Sequence, residues 1–289
     1  MTLARDAKLK ERSDSFSLCT IMNIKSGGCT EDCAFCAQSS RYRTLSPVFA
    51  LKSTDEILEA SAIAKDAGAA RFSLVTSGRC LSRSEVDELA VGIEQISTGV
   101  GISVCASFGI LDSGALETLK SAGLSRYHHN IETSEAFFPK VITTHAFKER
   151  ISTIHKAKDV GLEVCSGGII GIGESFEDRV SMALTLAGLE VDSVPLNILI
   201  PIPGTPLASQ VPLSVEEILR SIAIFRLIFP DKAIRIAGGR ESALMDFQGL
   251  AFWAGADAML IGGYLTVAGR ASDVDLRLVR EIKRLWQKG

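Results

Sequence analysis

No stretch of this 289-residue sequence approaches the roughly 20 consecutive apolar residues that a membrane-spanning helix requires. The N-terminal segment also lacks the basic region followed by an apolar region that is typical of a secretory leader. An excess of one charge is missing as well, because 31 Lys and Arg residues against 34 Asp and Glu residues leave a net charge of -3. A broad basic surface for nucleic acid is therefore not expected. These absences predict a cytoplasmic protein that binds neither a membrane nor nucleic acid.

Linkers and low-complexity segments are missing too, so we expect one domain over residues 1–289. Short, β-branched apolar runs alternate along the chain with amphipathic segments, and several of these segments end in glycine, as helices do. This order predicts an α/β fold, namely a (β/α)8 TIM-type barrel with its active site at the C-terminal ends of the strands. A doubly wound open sheet is the alternative, because alternation alone does not prove closure.

Cysteine is the informative residue type. Seven cysteines, an odd number, argue against a disulfide framework and for metal ligands or reactive thiols. Three of them, Cys29, Cys33 and Cys36, lie in the stretch GGCTEDCAFCAQSSRY, within a predicted loop over residues 25–42. A second C-x2-C pair, which a zinc site would need, does not occur in the sequence. Three thiolates on a cubane cluster leave one iron without a protein ligand, and an open metal position marks a catalytic site.

The C-x3-C-x2-C spacing and the predicted barrel resemble the radical S-adenosylmethionine enzymes. The stretches CAQSSRY, YHHNIETS, TTHAFKERIST, VCSGGIIGIGE, VPLNILIPIPGTPL and AGGRE narrow this resemblance to the biotin synthase family over almost the whole chain. It implies a sulfurtransferase that inserts sulfur between C6 and C9 of dethiobiotin. It also implies cleavage of S-adenosylmethionine to a 5'-deoxyadenosyl radical at a [4Fe-4S] cluster, an auxiliary iron–sulfur cluster as sulfur donor, a flavodoxin or ferredoxin-like electron donor, and a homodimer.

The resemblance assigns a role to individual residues. For the [4Fe-4S] cluster it implies the ligands Cys29, Cys33 and Cys36. For binding of the cofactor S-adenosylmethionine it implies Phe35, Asn130, Glu132, Arg150, Gly167, Gly168 and Ile169. For the substrate it implies His128, Asn197 and Thr266. Arg150 is expected to pair with the cofactor carboxylate, and Asn197 is expected near the ureido ring, since an amide both donates and accepts hydrogen bonds.

The auxiliary cluster departs from the family pattern. The resemblance implies Cys105, Cys165 and Arg240 as ligands, but Ser73 stands where the family has a further cysteine. A serine oxygen is a poorer ligand for iron than a thiolate. Cys19 and Cys80 are the two candidates to replace it, and we favour Cys19, because Cys80 should already have left the strand. The hypothesis is then a larger cluster, with four irons and an extra sulfide, in place of a [2Fe-2S] centre.

Other departures concern the substrate side. His128 stands where the family has asparagine, Glu132 where it has aspartate, and Val267 where it has a second threonine beside Thr266. His129 is expected to be a hydrogen-bonded structural residue. Two alternatives remain: a radical enzyme of the same barrel that acts on another small molecule, and an iron–sulfur scaffold or carrier. The inner cysteines and arginine argue against the first alternative, because such an enzyme needs no sulfur donor inside the barrel. The second alternative predicts no cleavage of S-adenosylmethionine and leaves Arg150, Asn130 and Asn197 without a role.

Overall fold

The computed structural model describes residues 1–265 and 269–287. Two residues named above, Thr266 and Val267, lie outside the described residues. Within the described part, parallel strands are joined in most cases by helices on the outside of the sheet. None of the helices in these two ranges is long and apolar enough to cross a membrane.

The strands close into a ring. They are β1 (Ser17–Lys25), β2 (Arg71–Thr76), β3 (Ser103–Ser107), β4 (Leu124–His128), β5 (Glu163–Cys165), β6 (Gly168–Ile170), β7 (Ser193–Ile198), β8 (Ala233–Ile236) and β9 (Ala258–Leu260). Neighbours along the sheet follow the order β5-β4-β3-β2-β1-β9-β8-β7-β6, and an additional pairing of Cys165 with Ser193 joins β5 to β7. The predicted barrel is therefore confirmed, and the open sheet is excluded.

One predicted strand is divided. The stretch LEVCSGGIIG forms both β5 and β6, which are separated at Ser166 and Gly167. Only glycine fits at residue 167, because a Cβ atom there would lie 1.8 Å from the carbonyl oxygen of Pro195. Counted together, β5 and β6 supply one of the eight strand positions that a (β/α)8 barrel requires.

Four of the helices begin at serine residues that cap them. The bounds of the helices are α1 (Thr2–Arg12), α2 (Thr54–Asp66), α3 (Arg83–Gln95), α4 (Ser113–Ser121), α5 (Phe147–Asp159), α6 (Phe176–Gly188), α7 (Val215–Ile228), α8 (Arg240–Leu244), α9 (Gln248–Trp253) and α10 (Ser272–Gln287). Capping boxes start four of them, with Ser53, Ser82, Ser175 and Ser214 as N-caps. In each box the serine oxygen accepts from a backbone N–H that the first helical turn leaves unpaired.

The base of the barrel is closed by a charged network that the sequence analysis missed together with α1. Lys8 of α1 is buried, and its ammonium lies 3.1 Å from the ring centre of Trp286 in α10. Arg12 of the same helix pairs with Asp257, which also pairs with Arg226 at 3.0 Å. Burial lowers the pKa of Lys8 to about 8. Helix α1 is therefore held by ion pairs as well as by apolar packing.

We predict that Asp257→Asn lowers the free energy of unfolding by about 3–5 kcal/mol, because the fully buried Arg226 loses its counter-charge. Urea unfolding followed by circular dichroism measures the change. The control is Asp159→Asn, at an exposed position near the end of α5, which should change the stability by less than about 0.5 kcal/mol. Equal effects of the two substitutions would contradict the role given to Asp257.

Candidate functional site

The two groups of cysteines lie in one cavity. It has a volume of about 360 Å³ and opens at the C-terminal ends of the strands. The predicted site residues that line it are Cys19, Cys29, Cys33, Phe35, Cys36, Ser73, Cys105, His128, Asn130, Glu132, Arg150, Cys165, Ile169 and Asn197. The loop cysteines and the strand cysteines therefore line one continuous space.

The loop with the first three cysteines is held in shape by its own polar groups. The backbone N–H of Cys29 donates to the carbonyl of Gln38 at 3.2 Å, and that of Cys36 donates to the carbonyl of Cys33 at 2.9 Å. Asp32, between the cysteines, accepts from the backbone N–H groups of Thr143 and Thr144 at 2.9 and 3.2 Å. These hydrogen bonds lower the pKa of Asp32 although burial alone would raise it. The loop is thereby fastened to the segment before α5.

Two thiols of this loop, those of Cys33 and Cys36, favour the protonated form. Burial raises the pKa of Cys33 and of Cys36. A thiolate is the form that binds iron, so binding of a cluster has to release these protons. Among the described residues, no three His, Cys, Asp or Glu side chains are placed to hold one metal ion. An iron–sulfur cluster differs from such a site, because it spreads its thiolates over separate iron atoms.

Beside the loop lies a polar group built from the end of β4 and from α5. Arg150 donates through Nη1 to the carbonyl of Asn130 at 2.9 Å and to Glu132 at 3.4 Å. Its Nε donates to Nε2 of His145 at 3.0 Å, and the sequence analysis missed this histidine although it lies in the stretch TTHAFKERIST. Glu132 adopts a φ of +69°, a strained conformation for a residue other than glycine, and such strain is often found at functional sites.

The glycines of the strand-end motif have a packing role. A Cβ atom on Gly168 would lie 2.3 Å from the carbonyl oxygen of Glu132, as the one on Gly167 would collide with Pro195. Only Ile169 of the three predicted residues lines the cavity. The glycines thus let β6 approach the backbone after β4, and this approach holds Glu132 in place.

The strand cysteines form one layer inside the barrel. Cys19, Cys105 and Cys165 lie on β1, β3 and β5, and each is no more than 5% exposed. With β5 and β6 taken as one position, these strands and β8 are alternate strands, and alternate strands contribute the side chains of one layer in such barrels. The member from β8 is Arg235, whose Nη1 lies 3.6 Å from the sulfur of Cys165.

The layer is electrostatically positive. Arg71 and Arg126 flank the thiols from β2 and β4, and both pair with Glu163 at 2.8 Å. Burial raises the pKa of Cys105 to about 12. For Cys165, burial also acts to raise the pKa, but the neighbouring His128 and the charges of the nearby arginines together lower it to about 6. His128, expected beside the substrate, is the register partner of Cys165 across β4 and β5 and therefore lies beside the inner layer.

Arg240 is a correction to the sequence analysis. Its guanidinium donates to the two carboxylate oxygens of Asp275 at 3.0 and 2.8 Å and to Gln248. Arg240 begins α8, beyond Gly238 and Gly239, and is not among the residues that line the cavity. Arg235, five residues earlier and on β8, contacts a thiol of the inner layer instead, with its Nη1 3.6 Å from the sulfur of Cys165. Alternation along AIRI would have found it, because Arg235 is a charged residue within an apolar strand.

The structure also shows where Ser73 and Cys80 lie relative to the inner layer. Ser73 is buried on β2, in register with Cys105, and lines the cavity. Cys80 is exposed and lies outside the cavity, whereas Cys19 belongs to the inner layer. The structure therefore brings Cys19, and not Cys80, together with Cys105 and Cys165. His129 is buried and stacks on Tyr127.

The side-chain amide of Asn197 has fewer free hydrogen-bonding positions than expected. Its Oδ1 accepts from the backbone N–H of Gly238 at 3.0 Å and from the hydroxyl of Tyr264 at 2.9 Å. Its Nδ2 donates to the carbonyl of Gly168 at 3.3 Å. An amide oxygen accepts two hydrogen bonds and an amide nitrogen donates two, so Asn197 has one N–H without a partner, and no free lone pair, among the described residues.

The donor sets fit iron–sulfur clusters. Thiolates are the ligands that such clusters use, and the cavity holds two separate groups of three. In the inner layer, Nε and Nη2 of Arg235 are buried without a hydrogen-bond partner among the described residues. A buried cationic group of this kind requires an anionic neighbour, and a cluster with its sulfides is anionic.

Comparisons with known proteins agree with this chemistry. Family models described as "Radical SAM superfamily" and "Biotin and Thiamin Synthesis associated domain" match residues 23–186 and 195–283. The chain is 50% identical over 266 residues to a biotin synthase of Pelotomaculum thermopropionicum, covering 92% of this chain and 83% of the relative. It is also 50% identical over 275 residues to a biotin synthase of Thermotoga neapolitana, covering 95% and 98%.

Solved structures repeat the fold at lower sequence identity. A methylornithine synthase superposes with a TM-score of 0.83 at 20% identity, covering 98% of this chain and 86% of its own. The [FeFe]-hydrogenase maturase of Carboxydothermus hydrogenoformans superposes with a TM-score of 0.81 at 16% identity, covering 96% and 69%. At these identities the likeness concerns the barrel and not the reaction.

We predict that two arginine substitutions affect different properties, one the loading of the cluster and the other the stability of the fold. Arg235→Met should abolish loading of the inner cluster on anaerobic reconstitution, measured as iron and sulfide per chain, because the layer loses its unpartnered cation. Arg240→Met should keep the iron content and lower the free energy of unfolding by about 3 kcal/mol, because Asp275 is fully buried. Loss of iron in the Arg240 variant alone would contradict the correction.

Proposed function

The chain belongs to the biotin synthase family of the radical S-adenosylmethionine superfamily, and from this premise we propose that the barrel converts dethiobiotin into biotin. The reaction inserts one sulfur between C6 and C9. The observation that carries the proposal is the single cavity with two groups of thiols. A radical initiator needs only the loop group, whereas a sulfur-inserting enzyme also needs a donor close to the substrate.

The chemistry is supplied by the bound groups, and the protein holds and orients them. When bound, the [4Fe-4S] cluster and S-adenosylmethionine supply a 5'-deoxyadenosyl radical that removes hydrogen from the substrate, and the auxiliary cluster supplies the sulfur. Cys29, Cys33 and Cys36 are proposed to hold the first cluster. Phe35 and Ile169 line the cavity beside it and suit the apolar parts of the cofactor.

Arg150 is proposed to bind the carboxylate of S-adenosylmethionine. Its Nε and Nη1 already donate to His145, Asn130 and Glu132, whereas no described residue accepts from Nη2. The N–H groups of Nη2 are available for a carboxylate, which a planar guanidinium binds well. The carboxylate of Glu132 and the amide of Asn130 remain beside this position for the ribose hydroxyls.

For the substrate, Asn197 is proposed to donate its free N–H to the ureido carbonyl oxygen of dethiobiotin. Tyr264 and Gly238 occupy the amide oxygen and thereby fix which end of the amide faces the ligand. His128 is proposed to lie on the sulfur-donor side, next to its register partner Cys165, in addition to bordering the substrate. Thr266 remains an expectation from the family.

The auxiliary cluster is proposed to be held by Cys19, Cys105, Cys165 and Arg235. Ser73 lies beside this layer, on the neighbouring set of strands, and can offer only a hydroxyl oxygen. Cys19 supplies the third thiolate from a strand other than that of Ser73, and we propose that the cluster is a larger one, with four irons and an extra sulfide, in place of a [2Fe-2S] centre. The buried arginines neutralise the negative charge that such a cluster carries.

An electron donor and a second subunit complete the proposal. The loop that follows the cluster cysteines exposes Arg41, Arg43 and Leu45. A basic and apolar surface suits an acidic electron carrier of the flavodoxin or ferredoxin kind. A homodimer in the cytoplasm is expected from the family, and light scattering of the reconstituted protein tests the oligomeric state.

The activity is tested directly. We predict that the anaerobically reconstituted protein forms biotin and 5'-deoxyadenosine from dethiobiotin, S-adenosylmethionine and a reductant. Cys29→Ala should abolish both products, because the cluster loses a ligand, whereas Cys80→Ala should leave both unchanged, because Cys80 is exposed outside the cavity. Formation of 5'-deoxyadenosine without biotin would point to a radical enzyme with another substrate.

The cluster type is tested separately. We predict that Mössbauer spectra of the reconstituted protein show an auxiliary centre larger than [2Fe-2S], and that Cys19→Ala removes it while the loop cluster remains. The physical reason is the loss of one of three thiolates in the inner layer. An ordinary [2Fe-2S] signal that Cys19→Ala leaves unchanged would rule out Cys19 as a ligand.

A further inference from the structure

We propose that His145 is a positioning residue, which the cluster loop holds through Glu31 and which in turn orients Arg150 for the carboxylate of S-adenosylmethionine. The inference rests on the function proposed for Arg150. It assigns a role to a histidine outside the cysteines and outside the cofactor contacts expected from the family.

The hydrogen bonds fix the state of the histidine ring. Nε of Arg150 is always a donor, so Nε2 of His145, at 3.0 Å, has to be the acceptor without a proton. The other ring nitrogen, Nδ1, then carries the proton and donates it to a carboxylate oxygen of Glu31. His145 is therefore neutral and present as a single tautomer. Burial and the charge of Arg150 lower its pKa, which keeps the ring neutral at pH 7.

Glu31 makes this link rigid. It stands between Cys29 and Cys33, is only 7% exposed, and accepts a second hydrogen bond from the hydroxyl of Thr144 at 2.6 Å. Arg79 approaches its other oxygen at 3.6 Å. Hydrogen bonds through the carboxylate of Glu31 and the ring of His145 thus connect the cluster loop to the guanidinium of Arg150. The position of the loop therefore determines the position of the guanidinium.

Packing supports the same arrangement. The His145 ring lies edge-on to Phe138 with ring centres 5.6 Å apart, and the guanidinium of Arg150 lies 5.8 Å from the centre of the same ring. Arginine is long and flexible, and Glu132 offers a competing anion at 3.4 Å. Without the acceptor at Nε, the guanidinium is free to turn its remaining N–H groups towards Glu132 and away from the cofactor.

Substitutions of His145 test separately its contact with Glu31 and its contact with Arg150. His145→Gln places an amide oxygen near the position of Nε2 and keeps the acceptor for Arg150. His145→Asn places an amide near Nδ1, which keeps the contact with Glu31 and removes the acceptor. His145→Leu keeps the packing on Phe138 without either polar end and replaces the Asn variant if that variant does not load its cluster. His155→Gln, at an exposed position of α5, is the matched control.

The measurement is a titration of the reduced, reconstituted protein with S-adenosylmethionine, followed by the change in the electron paramagnetic resonance spectrum of the loop cluster. Loading is checked by iron content and folding by thermal unfolding. We expect His145→Asn and His145→Leu to weaken binding by about 10- to 100-fold, as removal of supporting partners does at metal sites. His145→Gln should stay within about threefold, and His155→Gln should not differ from the unmodified protein.

The outcomes distinguish this inference from the function on which it rests. If Arg150→Met binds the cofactor as the unmodified protein does, the role proposed for Arg150 fails. If Arg150→Met weakens binding but His145→Asn or His145→Leu does not, the positioning role of His145 is overturned. Equal weakening by His145→Gln and His145→Asn would also overturn it, because the retained acceptor would then have no effect.

Discussion

Positive charge buried inside the barrel is the constraint on which the inner site depends. Arg71, Arg126 and Arg235 point into one region, and buried cations are costly unless an anion compensates them. Glu163 compensates the first two, with contacts of 2.8 Å. Among the described residues, the guanidinium of Arg235 has hydrogen-bond partners only in the Cys165 thiol and the Ser193 hydroxyl. The layer is thus built for an anionic occupant, and this is a physical argument for a cluster that does not depend on family resemblance.

Much of the fold followed from periodicity, and the closed barrel was predicted correctly. What periodicity missed depends on contacts that are distant in sequence. Helix α1 has few apolar residues, and contacts with Asp257 and Trp286 hold it at the base of the barrel. The need for glycine at residue 167, between β5 and β6, comes from the carbonyl of Pro195, which only the folded chain brings close.

The residues of the site also fall into two kinds, those that a local motif predicts and those that only contacts in the folded chain reveal. The loop cysteines form a motif by themselves, and all three line the cavity. Arg240 was chosen because a motif contains it, whereas the geometry of the barrel selects Arg235 by its place on a strand. His145 and Tyr264 were overlooked because each acts on another side chain, Arg150 or Asn197, and such second contacts leave no spacing pattern in a sequence.

The two cysteine groups also differ in how the chain supports them, and this difference follows from what each must do. The inner thiols sit on strands, within a layer whose backbone positions are fixed by the ladder on both sides. The loop thiols are held by side-chain links, from Asp32 to Thr143 and from Glu31 to His145. A radical has to be generated close to the substrate, so the position of the cofactor has to be fixed relative to the cluster loop. The hydrogen bonds from Glu31 through His145 to Arg150 join this loop to the arginine proposed to bind the cofactor.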